Sequence, residues 1–342
     1  MADFDKYVDV KQKFANQLLE PEILSGSDPK LHWLARNVIG VGVGLKMQKY
    51  ELTEKPCLTL LVRSKLPKEA LGPFELTQRA KRLGMDLPDE EMDVVEMEQT
   101  RCLGGFEGPV NVLGVGSDVA IAGRSTHGTV CGFVSYAGSK SIHLLTCSHV
   151  IASHGGAFSL VVSRDSVVGR ISKEAPLLPG HGSHSGPKRN HSQQDAATAE
   201  LISGVEPNFD LPGLRSRLTD STPASPQPGD HVIKTGRNVR HAMVLCTNLK
   251  IALNYPGQVS YLDHQMLVSG PVSENSPFAK PGDSGSMVVA RAGGKTRAVG
   301  MVIGAGDPAS LARQKGESPS MYAIVSPMER VLEALGAKLV VN

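Results

Sequence analysis

The hydrophobic pattern changes character once along the chain. Phe4, Tyr7, Val8, Phe14 and Leu18 recur at near-helical spacing ahead of Pro21, which predicts a short amphipathic helix over residues 4 to 20. Three runs of strand character follow, Asn37 to Met47, Cys57 to Arg63 and Met92 to Met97, with a mixed helical or loop stretch from Pro67 to Leu83 between the last two. Together they predict a small α/β unit over residues 1 to 103. From Gly104 onward, short apolar runs such as GTVCGFVSY, HLLTCSHV, HAMVLCTN and AVGMVIG alternate with Gly, Pro, Ser and Asn, the pattern of an all-β sandwich or barrel. Two loops interrupt it, Pro179 to Gln194 and Glu206 to Pro228, and both read as surface insertions or hinges. At the end, Ser326 can cap, Pro327 can take the first helical position and Glu329 can complete a capping box, so a helix is expected over 326 to 336, stopped by Gly336.

Composition narrows the class. The 342 residues are 40 % apolar and 20 % charged, as in globular proteins, which excludes a disordered chain. The net charge is +2 and no Lys/Arg run is dense enough to follow a phosphate backbone, so nucleic acid is not an expected partner. The first residues lack a basic and apolar leader, and no stretch approaches the roughly 18 apolar residues of a membrane span. A soluble cytoplasmic protein without a membrane partner is the expectation. Cys57, Cys102, Cys131, Cys147 and Cys246 are odd in number and never spaced C-x-x-C, which fits free thiols in a reducing compartment rather than a disulfide framework or a zinc knuckle.

The chemistry concentrates in Pro281-Gly282-Asp283-Ser284-Gly285-Ser286, where a glycine-flanked serine stands between a loop and the apolar run Met287 to Ala290. Flanking glycines let a carbonyl group approach the backbone, so that the N–H groups of Gly282 and Ser284 can converge on a developing oxyanion. The same six residues could also form an ordinary tight turn. A general base is offered by His149, in Thr146-Cys147-Ser148-His149-Val150, where a strand gives way to a loop over Ile151 to Gly156. The carboxylate that would orient this imidazole is assigned to Asp195, at a loop-to-strand boundary before Ala196. Asp165 is the rival, but it follows His149 by only 16 residues, too short a stretch for a strand to return to the imidazole.

Other signals point to structure. Gly40-x-Gly42-x-Gly44 lacks the G-x-G-x-x-G spacing of a dinucleotide loop and reads as a glycine-rich strand packed closely on a helix. His181, His184 and His191 lie in a Gly/Ser/Pro stretch without a completing ligand set, as does the basic cluster Lys188-Arg189-Asn190-His191, so a solvated loop is expected and no metal site. Cys147, two residues before His149, reads as a small buried hydrophobe.

The order His149, Asp195, Ser284 resembles that of the trypsin/chymotrypsin-like serine peptidases and differs from subtilisin-like and α/β-hydrolase orders. The resemblance spans roughly residues 109 to 335. Gly128 to Val134 resembles the strand leading to the family's histidine, Gly229 to Arg237 the opening of the second barrel, Ala298 to Gly304 the strand lining the specificity pocket, and Met321 to Val325 the last strand. Less specifically, Val38 to Lys46 and Asp93 to Glu96 resemble the front domain of cytoplasmic trypsin-like proteases of bacteria and of the plant narrow-leaf class. The sequence departs from the family where Val150 follows His149, so the usual histidine-loop disulfide cannot form, and where no Ile-Val-Gly-Gly terminus precedes the first barrel.

The resemblance implies an α+β chain: the N-terminal α/β unit, then a peptidase domain over 104 to 342 with a first barrel at 109 to 215, a second at 226 to 325 and a C-terminal helix. It implies a serine endopeptidase acting on polypeptides without a cofactor. Ser284 is the nucleophile, His149 the base, Asp195 the orienting carboxylate, and Gly282 and Ser284 supply the oxyanion hole. The N-terminal unit is a candidate regulatory or docking module for a protein partner, and one variant of the reading makes the enzyme latent until a partner or signal acts. A catalytically silent peptide-binding scaffold is the alternative. In the family the pocket floor lies six positions before the nucleophile, here Phe278, with walls from Ile303, Gly304 and Ala305 and from around Ser320 to Tyr322. Without a carboxylate at Phe278, an uncharged residue of small to medium size is expected before the cut, with Glu317 the one neighbouring acid that could change this.

Overall fold

A computed structural model describes residues 4, 6–18, 37–48, 51–63, 65, 87–88, 91–96, 111–122, 127–152, 160–163, 166–175, 194–236, 239–255, 258–270, 278–306 and 322–341. The expected stretch at 67–83, the rival Asp165, residues 179–193 of the expected loop Pro179 to Gln194, Glu317 and residues 320–321 lie outside them, and Gln194, which is described, is completely buried rather than part of a surface insertion. The N-terminal part supplies α1 (Lys6–Leu18), β1 (Val38–Gln48), β2 (Glu51–Val62) and β3 (Met92–Glu96). Next come β4 (Val112–Gly114), β5 (Asp118–Ile121), β6 (His127–Thr129), β7 (Gly132–Tyr136), β8 (His143–Thr146), α2 (Ser148–Ile151), β9 (Leu160–Ser163), β10 (Ser166–Ala175), β11 (Ala196–Leu201) and β12 (Glu206–Asn208). The chain continues through β13 (His231–Lys234), β14 (Arg240–Tyr255), β15 (Gln258–Ser269), β16 (Met287–Ala292), β17 (Lys295–Gly306) and β18 (Tyr322–Pro327), and ends with α3 (Met328–Leu335) and β19 (Ala337–Leu339).

The protein is mostly β, with two large sheets and few helices. None of the described helices is long and apolar enough to cross a membrane. In the second sheet the order β13-β16-β17-β18-β15-β14 closes on itself, because β13 also pairs with β14. The first sheet, β19-β7-β8-β11-β10-β9-β5-β6, is a curled half-barrel, and no pairing among the described residues joins its ends. One apolar core spans both: Phe133, Leu144 and Leu145 pack in the same cluster as Met287, Met301 and Ile303, and Val331 and Leu335 of α3 close it.

The N-terminal strands continue the second sheet. β14 is 16 residues long; its first part pairs with β13 and its second part with β1, through Gly44↔Cys246, Val43↔Thr247, Val41↔Lys250 and Gly40↔Ile251. The expected boundary near residue 103 is therefore crossed by a hydrogen-bonded ladder. β1 has two different faces, as alternation in a strand requires. Val41 and Val43 are buried with Tyr7, Phe14 and Ala15 of α1. Gly40, Gly42 and Gly44 face β14, where a Cβ at Gly42 would fall 2.1 Å from Cys246 Sγ and one at Gly44 would fall 2.3 Å from the Leu245 carbonyl oxygen. The glycines are thus required by a close strand, not by the helix, which covers the opposite face. Strand β2 also starts earlier than its apolar run, because the β1–β2 hairpin carries the ladder out to Gln48↔Glu51.

The C-terminal helix is one place where the local sequence signal is overruled. Pro327 stays extended (φ −57°, ψ 132°) and still pairs with Gly300, so α3 begins at Met328. Ser326 remains in the strand and its hydroxyl donates to Gln265 Oε1 at 2.6 Å, so the expected capping box does not form. Gly336 ends the helix in the left-handed conformation, φ 60°. β19 then pairs with β7, an element that the sequence does not announce. The four described cysteines, Cys57, Cys131, Cys147 and Cys246, are buried free thiols.

Because the Gly42 face has no room for a methyl group, Gly42→Ala should destabilise the protein by about 1–3 kcal/mol through overpacking. Adding Cys246→Ala should recover most of that loss, since the clashing atom is the sulfur. Urea unfolding of the two variants checks this, and a double variant no more stable than Gly42→Ala would count against the packing account.

Candidate active site

The Gly-Asp-Ser-Gly turn is shaped by its two glycines, both left-handed at φ 102° for Gly282 and φ 94° for Gly285. A Cβ at Gly285 would sit 2.0 Å from the Thr129 carbonyl oxygen, so no other residue fits. The turn is closed by Asp283 N–H donating to Lys280 O (3.0 Å) and Ser286 N–H donating to Asp283 O (2.8 Å). The Asp283 carbonyl and the Ser284 N–H belong to one trans peptide plane and point opposite ways. Engaging the carbonyl inside the turn therefore turns the Ser284 N–H to the opposite side of that peptide plane. Ser284 itself is buried.

Asp283 anchors the turn from below. Its carboxylate forms an ion pair with Lys234 of β13, both side chains being 1 % exposed, and Oδ2 also accepts the Lys280 N–H at 2.9 Å. Burial pushes the Lys234 pKa down, against the pull of Asp283. The Lys234 ammonium also lies 5.7 Å from the centre of the Phe278 ring. Lys234 lies in the Gly229 to Arg237 motif without a role assigned from sequence, although in His231-Val232-Ile233-Lys234 the alternation of a strand puts Val232 and Lys234 on the same face.

His149 and Asp195 come together where β8 ends and β11 begins, two neighbouring interior strands of the first sheet. β8 ends at Thr146, Cys147 is extended, and a single helical turn, α2, carries His149. The loop expected over Ile151 to Gly156 overlaps this turn only at Ile151. β11 runs antiparallel to β8 with Ala197 opposite Thr146, which brings the preceding Asp195 to the histidine. Asp195 is completely buried, and both its oxygens serve His149: Oδ1 accepts the backbone N–H at 3.0 Å and Oδ2 meets Nδ1 at 2.5 Å. An ionised carboxylate can only accept, so it places the ring proton on Nδ1 and turns Nε2 away.

Two residues tie the serine turn to the histidine strand. Thr129 of β6 donates its N–H to the Ser284 carbonyl (2.7 Å) and its hydroxyl to the Gly282 carbonyl, while its own carbonyl accepts from Thr146 Oγ1 at 2.8 Å. The Val302 carbonyl accepts both Gly285 N–H (2.8 Å) and Cys147 Sγ–H (3.2 Å). Gly128 lies in the narrow gap between these elements: a Cβ there would be 2.5 Å from Val150 and 2.7 Å from the Ser284 carbonyl oxygen. Sequence reading singled out neither Thr129 nor Val302.

The expected pocket residues are all buried but are not all neighbours. Phe278 and Ala305 belong to one apolar cluster with Val232, Val268 and Val302, whereas Ile303 packs in the core between the two sheets. A register shift in the β17–β18 ladder between Val302 and Gly304 separates the two directions. Among the described residues, Cys147, His149 and Asp195 bring metal-ligating atoms within 4.8 Å of one another. The thiol donates to Val302 and the imidazole and carboxylate bond each other, so all three are already engaged within the protein.

No family model and no curated protein matches the chain. Among solved structures, protease A of Thermobifida fusca is similar at 14 % identity over 68 % of this chain and 100 % of its own, with a TM-score of 0.44. A glutamic acid-specific serine protease is similar at 20 % identity over 67 % and 100 %, also at 0.44. The murine norovirus NS6 protease follows at 12 % identity over 60 % and 91 %, with 0.32. These are distant likenesses to proteases of the chymotrypsin fold.

Proposed function

We propose that the chain is a serine peptidase in which Ser284 attacks the scissile carbonyl, His149 Nε2 takes its proton and returns it to the leaving amine, and Asp195 stays ionised and holds the ring. The observation that carries this reading is the double engagement of His149 by one buried aspartate, at a seam bonded to the glycine-flanked Ser284. A core histidine needs one partner. A base that becomes an imidazolium in each turnover gains from a buried carboxylate fixed in both position and charge. The N–H groups of Gly282 and Ser284 bind the oxyanion, and the steps call on no cofactor.

The substrate is a polypeptide. Lys234, near the Phe278 ring, already engages the Asp283 carboxylate, so a basic side chain entering beside Phe278 would find that partner taken. Phe278 and Ala305, which share one apolar cluster, suit a small to medium uncharged residue before the cut. The N-terminal unit, which shares a ladder with β14, is the candidate regulatory element.

Two sets of variants test this reading. Ser284→Ala should abolish labelling by a serine-directed fluorophosphonate and lower peptide hydrolysis by about 10⁶, and Asp195→Asn should lower it by about 10⁴ through the wrong imidazole tautomer. Undiminished hydrolysis by Ser284→Ala would refute the assignment, and peptide binding without turnover by the unmodified protein would favour a silent scaffold. Lys234→Met leaves Asp283 charged and unpaired in the interior, at a cost of about 3–5 kcal/mol in stability. Combining it with Asp283→Asn should restore much of the stability but little of the activity, a split visible by comparing urea midpoints with turnover.

A further inference from the structure

α1 is docked by more than its apolar face. Lys11 shares that face with Tyr7 and Phe14, and its side chain is only 2 % exposed. The ammonium donates to Asp263 Oδ1 at 2.7 Å and to Asn248 Oδ1 at 3.1 Å. Burial pushes the Asp263 carboxyl up, but the Lys11 charge, its hydrogen bond and the His264 N–H together outweigh this and hold the group below its ordinary value. The receiving strands are distorted at this point. Asn248 (φ 51°) and His264 (φ 58°) are both left-handed, and the β14–β15 register shifts on either side of Leu249. Left-handed backbone at non-glycine residues is costly and persists where the surroundings impose it.

The hydrogen bonds continue inward from there. The Asp263 carbonyl accepts Gln265 Nε2 at 2.6 Å, and Gln265 Oε1 is held by the Ser326 hydroxyl at 2.6 Å. The same Nε2 reaches Gln194 Oε1 at 3.4 Å, and both glutamines are completely buried. Gln194 immediately precedes Asp195, whose other neighbour, Ala196, is fixed in the β11 ladder. A polar path thus runs from α1 to the carboxylate that orients His149. A buried lysine is a poor way to dock a helix, since an apolar residue of similar size would serve as well. Its use here suits a role in fixing geometry.

We propose that Lys11 is a positioning residue: acting through Asp263, Gln265 and Gln194, it fixes Asp195, so that docking of α1 sets the competence of the His149–Asp195 pair. This rests on the peptidase reading only for its consequence in turnover, because the His149–Asp195 bond exists whatever the reaction.

The test uses the full chain and two readouts: the labelling rate with a fluorophosphonate and the low-field NMR signal of the His149 Nδ1 proton. Lys11→Met should keep a cooperative melt, lower the labelling rate about 10- to 100-fold, as ångström-scale misplacement does, and broaden or shift the Nδ1 signal. Lys11→Arg should restore both. Lys6→Met, which removes the exposed Lys6–Glu91 pair of the same helix, should change neither. Gln194→Met should reproduce the Lys11→Met loss, and the double variant should lose no more than either alone. An unchanged rate and signal in folded Lys11→Met, or additive losses in the double variant, would overturn the proposal. If Lys11→Met does not fold, Gln265→Met takes its place, and an unaltered Nδ1 signal there overturns it equally. Should the unmodified protein fail to react with the fluorophosphonate, the peptidase reading falls, while the Nδ1 signal still decides the role of Lys11.

Discussion

Thr129 is the residue on which the geometry of the site depends. Its N–H and hydroxyl hold the two carbonyls on either side of Asp283, and its carbonyl receives the hydroxyl of Thr146, three residues before the histidine. With the N–H and hydroxyl of Thr129 committed to the serine turn and its carbonyl to Thr146 of its own sheet, the turn cannot shift against the first sheet without breaking buried hydrogen bonds, each of which costs more to leave unmade than it contributes when formed. The glycines at 128 and 285 follow from this constraint, since a side chain at either would collide with a backbone carbonyl across the gap.

The interior also holds two lysines, each paired with an aspartate, and they serve different ends. Lys234 supports the serine turn directly through Asp283. Lys11 reaches in from a helix more than two hundred residues away in sequence and meets a hairpin bent to receive it. Buried ion pairs contribute little net stability but tolerate few alternative arrangements. The two pairs therefore read as fixtures of geometry, one beneath the turn that carries Ser284 and one at the outer end of a path to Asp195.

Much of this was legible in the sequence, and the remainder was hidden for physical reasons. Local pattern was enough for α1, for β1 and β3, for the left-handed stop at Gly336 and for the glycine-flanked serine. The pairing of Asp195 with His149 followed from the need for a converging carboxylate. The capping signal at Ser326 misled because Gln265, 61 residues earlier, competes for the same hydroxyl. The three-glycine stripe of β1 points in sequence to close packing on a helix, whereas its partner is β14, two hundred residues downstream, which no local window can name. Gln194 and Gln265 carry no signature at all, since a buried glutamine looks in sequence like an exposed one.

The last strand has a consequence for how the chain acquires its shape. β19 supplies an edge of the first sheet from residues 337–339, while its partner β7 lies at 132–136. Contacts so far apart in sequence are slow to form, because the intervening chain must be ordered first. During synthesis the edge of β7 stays uncovered until residues 337–339 emerge, and an uncovered edge can pair with another chain. Completion of the first sheet thereby waits until β13 to β18 of the second sheet have been made.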